Sequence, residues 1–472
     1  MRFERSLQHL LLAFMVAFGV VVGSAAYWGV LGADQALSSP FNYRVRAEAE
    51  TVRRGDVLDR DGRALVESLP REEGRWQRLT RDASLPSITG YLSFTYGAGG
   101  AEAAYDALLT GAETSTPLAR MVDRDLLHRP QRGQDIRLTL HLPTQQAAYA
   151  ALDGRRGAVV VMDADTGALL AVVSTPSITP ETLDADWEQL TQRDDDPFFN
   201  RALVGEYQPG SALQPLLLAG WLIAGHTETA ALDADLSAPV RLGELALSCA
   251  LPPPTTPTPT LLEAFLSACP AGFAAALDAL GEQATRQTLD LFGATGHIFL
   301  EGFTPPPSSA DAGLAEPSST DWRADALGQG ALRLSPLDMA VMLAGLANDG
   351  NAPQPYLLDA IRPTPEAAWQ AVPSPQQTQA VTTAQTAQQV KAAMRQLLAG
   401  LGIAGADGMG GHIGQAQAGQ QALTWFTGYA QSAPDREVVV VVLWEAEATP
   451  QAIATAGVEV LRAAQQAITP AP

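Results

Sequence analysis

The chain is almost without lysine. Of its 30 basic residues 29 are arginine, and the one lysine is Lys391. Any mechanism that needs a lysine must use Lys391 or be absent. Drift from Lys to Arg across a genome would leave Arg at the vacated positions, which can be checked motif by motif. Cysteine is equally scarce: Cys249 and Cys269 alone exclude a disulfide-dense scaffold and a four-cysteine zinc site. Positive charge is short overall. The 30 basic residues face 51 acidic ones, for a net charge of −21, which excludes a chain that grips a nucleic-acid backbone through clustered cations. His9, His128, His141, His226 and His297 show no metal-ligand spacing, so neither a metal nor a cofactor is expected. The acidic run Asp184-Ala-Asp186-Trp-Glu188 to Asp194-Asp195-Asp196 reads as a solvated loop face, because its spacing fits no calcium loop.

What is present is apolar. Hydrophobic residues make up 46% of 472, enough for two or three domains with a large core. Leu10 to Ala33 carries no charge and is long enough as a helix to cross a bilayer. Arg2 and Arg5 precede it, which places the N-terminus in the cytoplasm and the bulk of the chain outside. Tyr27 and Trp28 stand at its outer end. A cleaved signal peptide ending in the small residues Gly23 to Ala26 is the rival reading, and the length of the apolar run favours an uncleaved anchor. The expected division is a tail over 1–9, an anchor over 10–33, a first extracytoplasmic domain over 34–150 and a second over 151–472.

Local pattern then gives the elements. Arg54 to Ser68 reads as strand, turn and strand. Gly97 to Gly111 reads as a Gly-rich turn and a helix, and Asp135 to Leu152 as a strand and a helix starting near Pro143. Two β-branched runs flank Asp163-Ala-Asp-Thr-Gly167 and predict a hairpin. Leu423 to Ala430 and Arg436 to Glu445 form a second hairpin-like pair, with a helix from about Pro450 to Ile468. Between the hairpins the chain is mainly helical, broken by Pro-rich Leu251 to Thr260 and by a loop from Thr304 to Asp321. Strands at both ends of a region with helices between them predict an α+β domain, one antiparallel sheet packed with helices.

The order of motifs resembles the class B penicillin-binding proteins, the membrane-anchored D,D-transpeptidases that cross-link peptidoglycan. Arg54-Gly55 through Asp59-Arg60-x-Gly62 is similar to the start of that family's N-terminal pedestal. Gly90-Tyr91, Gly97 and Gly100-Ala-Glu102 through Tyr105 to Gly111 continue it. Gly133 to Gln146 and Gly157 to Pro176 resemble the beginning of the catalytic domain. Asn200-Arg201 and Tyr207-x-Pro209-Gly210-Ser211 resemble the approach to the nucleophile. Gly328-Gln329-Gly330, Ser335-Pro336-Leu337-x-Met339-Ala340 and Trp425-Phe426-x-Gly428-Tyr429 follow in the family's order. The resemblance implies a serine-β-lactamase-like transpeptidase domain behind a pedestal and one transmembrane helix. It places Ser211 at the nucleophile position. Read alone, a Ser after Pro-Gly and before an apolar helical run is a helix N-cap.

The family's three catalytic motifs are degraded here. S-x-x-K reads Ser211-Ala212-Leu213-Gln214. Gln has no usable pKa and cannot take the serine proton, and it is not the Arg that drift would leave. S-x-N aligns with Ala268-Cys269-Pro270, which carries neither polar side chain. Sliding by one puts Ser267 in the serine slot and Cys269 where Asn belongs. K-T-G reads His412-Ile413-Gly414. His412 remains a candidate to attract a carboxylate, being partly protonated near neutral pH, or to act as an atypical base for Ser211. Gly414 reads as room for neighbouring backbone. An oxyanion hole made of backbone N–H groups could survive. Lys391 lies in a predicted helix and reads as part of a solvated face. Cys249 and Cys269 flank the Pro-rich loop in an oxidising compartment, where they are either a disulfide or two separate buried residues.

The reading is a single-pass bacterial envelope protein of peptidoglycan synthesis, a pseudo-transpeptidase that binds or scaffolds. Its expected partners are the cell membrane, peptidoglycan stem peptides or β-lactams, and other cell-wall synthesis proteins. The alternative is an active acyl-serine transpeptidase or carboxypeptidase that uses Ser211 with His412 as base.

Overall fold

The computed structural model describes residues 2–27, 49–112, 132–303, 321–434 and 436–468. Trp28 with the rest of the expected anchor, and nearly all of the expected loop Thr304 to Asp321, lie outside these.

The two predicted hairpins meet in one sheet. Gly157–Asp163 pairs with Leu169–Thr175, and Gln421–Ala433 pairs with Arg436–Trp444. Arg436–Trp444 then lies antiparallel to Gly157–Asp163, with Val438 opposite Asp163 and Trp444 opposite Gly157. Gly410–Ala418 completes five antiparallel strands and forms one edge. Every residue of the first hairpin's two strands is buried, because helices cover the sheet. Leu142–Leu152 and Pro450–Ile468 pack on it and on each other, Pro336–Ala347 packs on the central strands, and Ala384–Gly400 packs on the edge strand. Continuous Val runs suit this two-sided burial, where alternation would leave one face polar.

A second sheet holds, in spatial order, Gln370–Ala371, Leu358–Arg362, Asp135–Leu138, Val57–Leu58, Ala64–Pro70 and Trp76–Thr80. Its first two strands come from far along the chain. Arg362 bonds Asp135 at 2.7 Å and Arg137 bonds Asp359 at 2.6 Å across the join. The sheet of the expected 34–150 unit is therefore finished by residues of the expected 151–472 unit.

Arg54 and Glu102, two of the motif residues, meet in this part of the fold. Arg54 Nε donates to Glu102 Oε2 at 3.0 Å, and Arg78 pairs with the other oxygen. Burial alone would raise the Glu102 carboxyl, but Arg78 and Arg54 outweigh it and hold its pKa below the ordinary value. The expected helix up to Gly111 is two short ones, Ala101–Ala104 and Asp106–Thr110, broken at Tyr105 and closed by left-handed Gly111.

At the N-terminus Arg2–Ala26 is one helix, with Leu10 to Val22 largely exposed. Among the described residues no helix is long and apolar enough to cross a membrane. The acidic run begins in a helix, Leu183–Leu190, where a loop was expected.

Candidate active site

Ser211 sits on a 3-10 turn, Gly210–Leu213, wedged against the edge strand. The approach is built from the motif residues. The Asn200 side chain accepts from the Ala202 and Leu203 N–H groups and caps a short helix. Tyr207 donates from its hydroxyl to Glu445 at 2.7 Å, and the Trp425 indole N–H donates to the Gln208 carbonyl at 3.1 Å. Gly210 then turns with φ +53, and its N–H donates to the Gly328 carbonyl. A Cβ on Gly210 would stand 2.1 Å from the Gln415 carbonyl oxygen, so only glycine fits. Gly414 leaves the matching room on the strand: a Cβ there would lie 2.5 Å from the Ala212 nitrogen.

These two glycines let the serine turn touch the strand. Ser211 Oγ accepts the Gln415 N–H at 2.9 Å and its hydroxyl reaches the Gln415 carbonyl at 3.4 Å. Ser211 is not an N-cap. The helix Gln214–Ile223 has Leu213 at its N-cap position with no side-chain cap, and the Ser211 hydroxyl crosses to the sheet instead. Its oxygen thus holds a backbone N–H on the strand, the kind of donor that an oxyanion hole uses.

Gln214 lies one turn on from Ser211 and is buried, with an Oε1 that has no hydrogen-bond partner among the described residues. Pro270 opens the helix Pro270–Leu280 and lines the same cleft as Ser211 and Gln214. Ala268 is fully buried in a left-handed turn (φ +47) and brings no polar group. The slid register fails as well, because the Ser267 hydroxyl donates to the Pro252 carbonyl.

His412 departs from expectation. Its ring is fully buried, packed 4.5 Å from Phe265, with neither nitrogen in a well-formed hydrogen bond. It is not among the residues that line the cleft. Burial pushes its pKa down to about 3, against a weak upward pull from the Phe265 backbone. His412 is therefore neutral at physiological pH. Among the described residues it makes no hydrogen bond to Ser211.

Lys391 is also misread by its helical pattern. It is buried, and its Nζ donates to the Ala347 carbonyl and to Glu437, each at 3.1 Å. Burial raises the Glu437 carboxyl, and Lys391 opposes the shift. The one lysine is thus spent on a buried ion pair away from the serine.

The cleft has a volume of about 220 Å³ between the serine turn, the edge strand and the segment before Cys249. Glu447 is the one ionisable residue among the described residues that line it, and no pattern in the sequence marks it. Cys249 and Cys269 are disulfide-bonded. Ser248 and Pro270, their immediate neighbours, both line the cleft, so the bridge ties two of its walls together. Closing a loop of 20 residues stabilises by about 3 kcal/mol in the chain-entropy account. Reduction should lower the denaturant midpoint accordingly. A thiol count on the unfolded, unreduced protein should find none, and two reactive thiols would contradict the bridge.

A serine turn held against the edge of a five-stranded antiparallel sheet, with a helical region across the cleft and a second, mixed sheet, is the α+β arrangement that the order of motifs implies. Comparison with known proteins narrows it. Residues 157–463 match the penicillin-binding protein transpeptidase domain, and residues 54–136 match the penicillin-binding protein A dimerisation domain. The chain is 30% identical over 474 residues to the peptidoglycan D,D-transpeptidase PbpA of Mycolicibacterium smegmatis, covering 93% of each. PbpA of Mycobacterium tuberculosis is 28% identical over 382 residues, 76% of this chain and 75% of its own. The structure of penicillin-binding protein A from M. tuberculosis, as an imipenem acyl-enzyme complex, superimposes with a TM-score of 0.75 at 26% identity, over 89% of this chain and 99% of that one. The chain belongs to the penicillin-binding protein transpeptidase family.

Proposed function

We propose that this chain is a non-catalytic member of its family, an envelope protein of peptidoglycan synthesis that binds or scaffolds where its relatives cross-link. One observation carries the reading. Among the described residues the Ser211 hydroxyl is engaged by the backbone of Gln415 alone, and the side chain one turn on is the amide of Gln214. Neither group can take up the serine proton. Loss of a general base costs ~10²–10⁴ in rate, and more when the groups act as a unit. The burial of His412 supports this reading over the active alternative, in which His412 would act as base.

The exposed apolar side chains of the N-terminal helix support an anchor in the bacterial cell membrane, with Arg2 and Arg5 on the cytoplasmic side and the rest of the chain outside. Stem peptides or β-lactams are the ligand classes that the family relationship brings to the cleft, and other cell-wall synthesis proteins are the partners it brings to the surface. The division into a pedestal over 34–150 and a transpeptidase-like domain over 151–472 belongs to the same proposal.

Turnover tests it. Full-length protein in detergent, given diacetyl-Lys-D-Ala-D-Ala, should release D-alanine no faster than its Ser211→Ala variant. Release that depends on Ser211 would overturn the non-catalytic reading.

A further inference from the structure

Among the side chains that line the Ser211 cleft the polar ones are hydroxyls and amides, and the single charged one is the acid Glu447. Two of the amides are incompletely paired. Gln214 Oε1 is a buried acceptor without a partner. Gln329 uses its Oε1 to accept the Gln417 N–H at 3.2 Å and leaves its Nε2 as a buried donor without a partner. One acceptor and one donor on residues that line the same cleft, both unmatched among the described residues, complement an amide group, which carries one of each.

Charge points the same way. A ligand carboxylate entering here would give up water and meet no cation, since His412 is buried outside the cleft and Lys391 is paired elsewhere. It would also approach Glu447 inside a chain of net charge −21. A ligand ammonium would instead be drawn to Glu447, which is exposed.

We infer that the cleft selects a short peptide that presents an uncharged amide and carries an amine, in preference to one that ends in a free carboxylate. This deepens the proposed function and rests on its reading of the cleft as a binding site. The Gln214 and Gln329 amides receive the peptide amide, and Glu447 receives the ammonium.

The test is calorimetric titration of the full-length protein in detergent with Nα-acetyl-Lys-D-Ala-D-Ala, as the free acid and as the carboxamide, each with and without an acetyl group on the lysine Nε. The carboxamide should bind about tenfold tighter than the acid, the size of one well-made hydrogen bond plus one avoided repulsion. Acetylating the lysine should weaken binding about threefold, as for an exposed ion pair, and Glu447→Gln should abolish that difference. Gln214→Leu should erase the preference for the carboxamide, with a melting curve confirming that the variant is folded. An acid that binds as tightly as the carboxamide overturns this selectivity and leaves the binding reading standing. No heat with any of the four probes overturns both.

Discussion

Acidification from pH 6.5 to pH 4 should cost this protein about 3 kcal/mol of stability through His412 alone. The sign follows from its depressed pKa. Unfolded, the imidazole takes a proton as the pH falls below about 6.5, whereas folded it stays neutral down to about 3. The unfolded state therefore binds the extra proton across that window. Stability is fully present above pH 6.5 and is lost by up to about 1.4 kcal/mol per unit as the pH falls. His141, lowered by burial as well, adds to the slope, while His297, raised by its bond to Asp338, opposes it. His412→Leu isolates the effect, since it keeps an apolar side chain of similar size against Phe265. Urea midpoints measured from pH 7 to pH 4 should fall more steeply in the wild type than in the variant. Parallel curves would mean that His412 is solvated, and its candidacy as a cation or a base would reopen.

The contrast between what the chain's local pattern shows and what it conceals follows from the range of the interactions. The hairpin around Asp163 to Gly167 and the terminal helix Pro450–Ile468 were legible because β-branched runs, turn residues and helical periodicity are local signals. Ser211 is singled out by the order of motifs along the chain. Its bond to Gln415 spans 204 residues and leaves no local trace. His412 was misplaced for a related reason. In Gly410–Ala418 alternation puts His412 on the same face as Gly414, toward the serine turn, but it carries no sign that Phe265, far away in sequence, encloses the ring. Lys391 was misread because a lone lysine on a helix is ordinarily solvated, whereas its partner Glu437 lies on a strand 46 residues away. The strands Leu358–Arg362 and Gln370–Ala371 join the N-terminal sheet by pairing that no local pattern announces.

The second large effect is all or none, and it concerns the serine itself. Acylation by a β-lactam needs the Ser211 proton to leave as the oxygen attacks. The backbone of Gln415 holds that hydroxyl on one side, and the side chain one turn on is the Gln214 amide. Glu447 lines the cleft but makes no hydrogen bond to Ser211 among the described contacts. Backbone donors alone retain part of the catalytic power of a serine site, which is why a slow adduct is worth seeking over hours instead of minutes.

The most direct measurement is the intact mass of the full-length protein after prolonged incubation with a penicillin, a cephalosporin and a carbapenem, beside Ser211→Ala. Both should keep their unmodified mass, with circular dichroism showing a folded protein. A Ser211-dependent adduct of one drug mass would contradict the non-catalytic reading, and Glu447→Gln would then show whether the cleft's one acid had taken over as base.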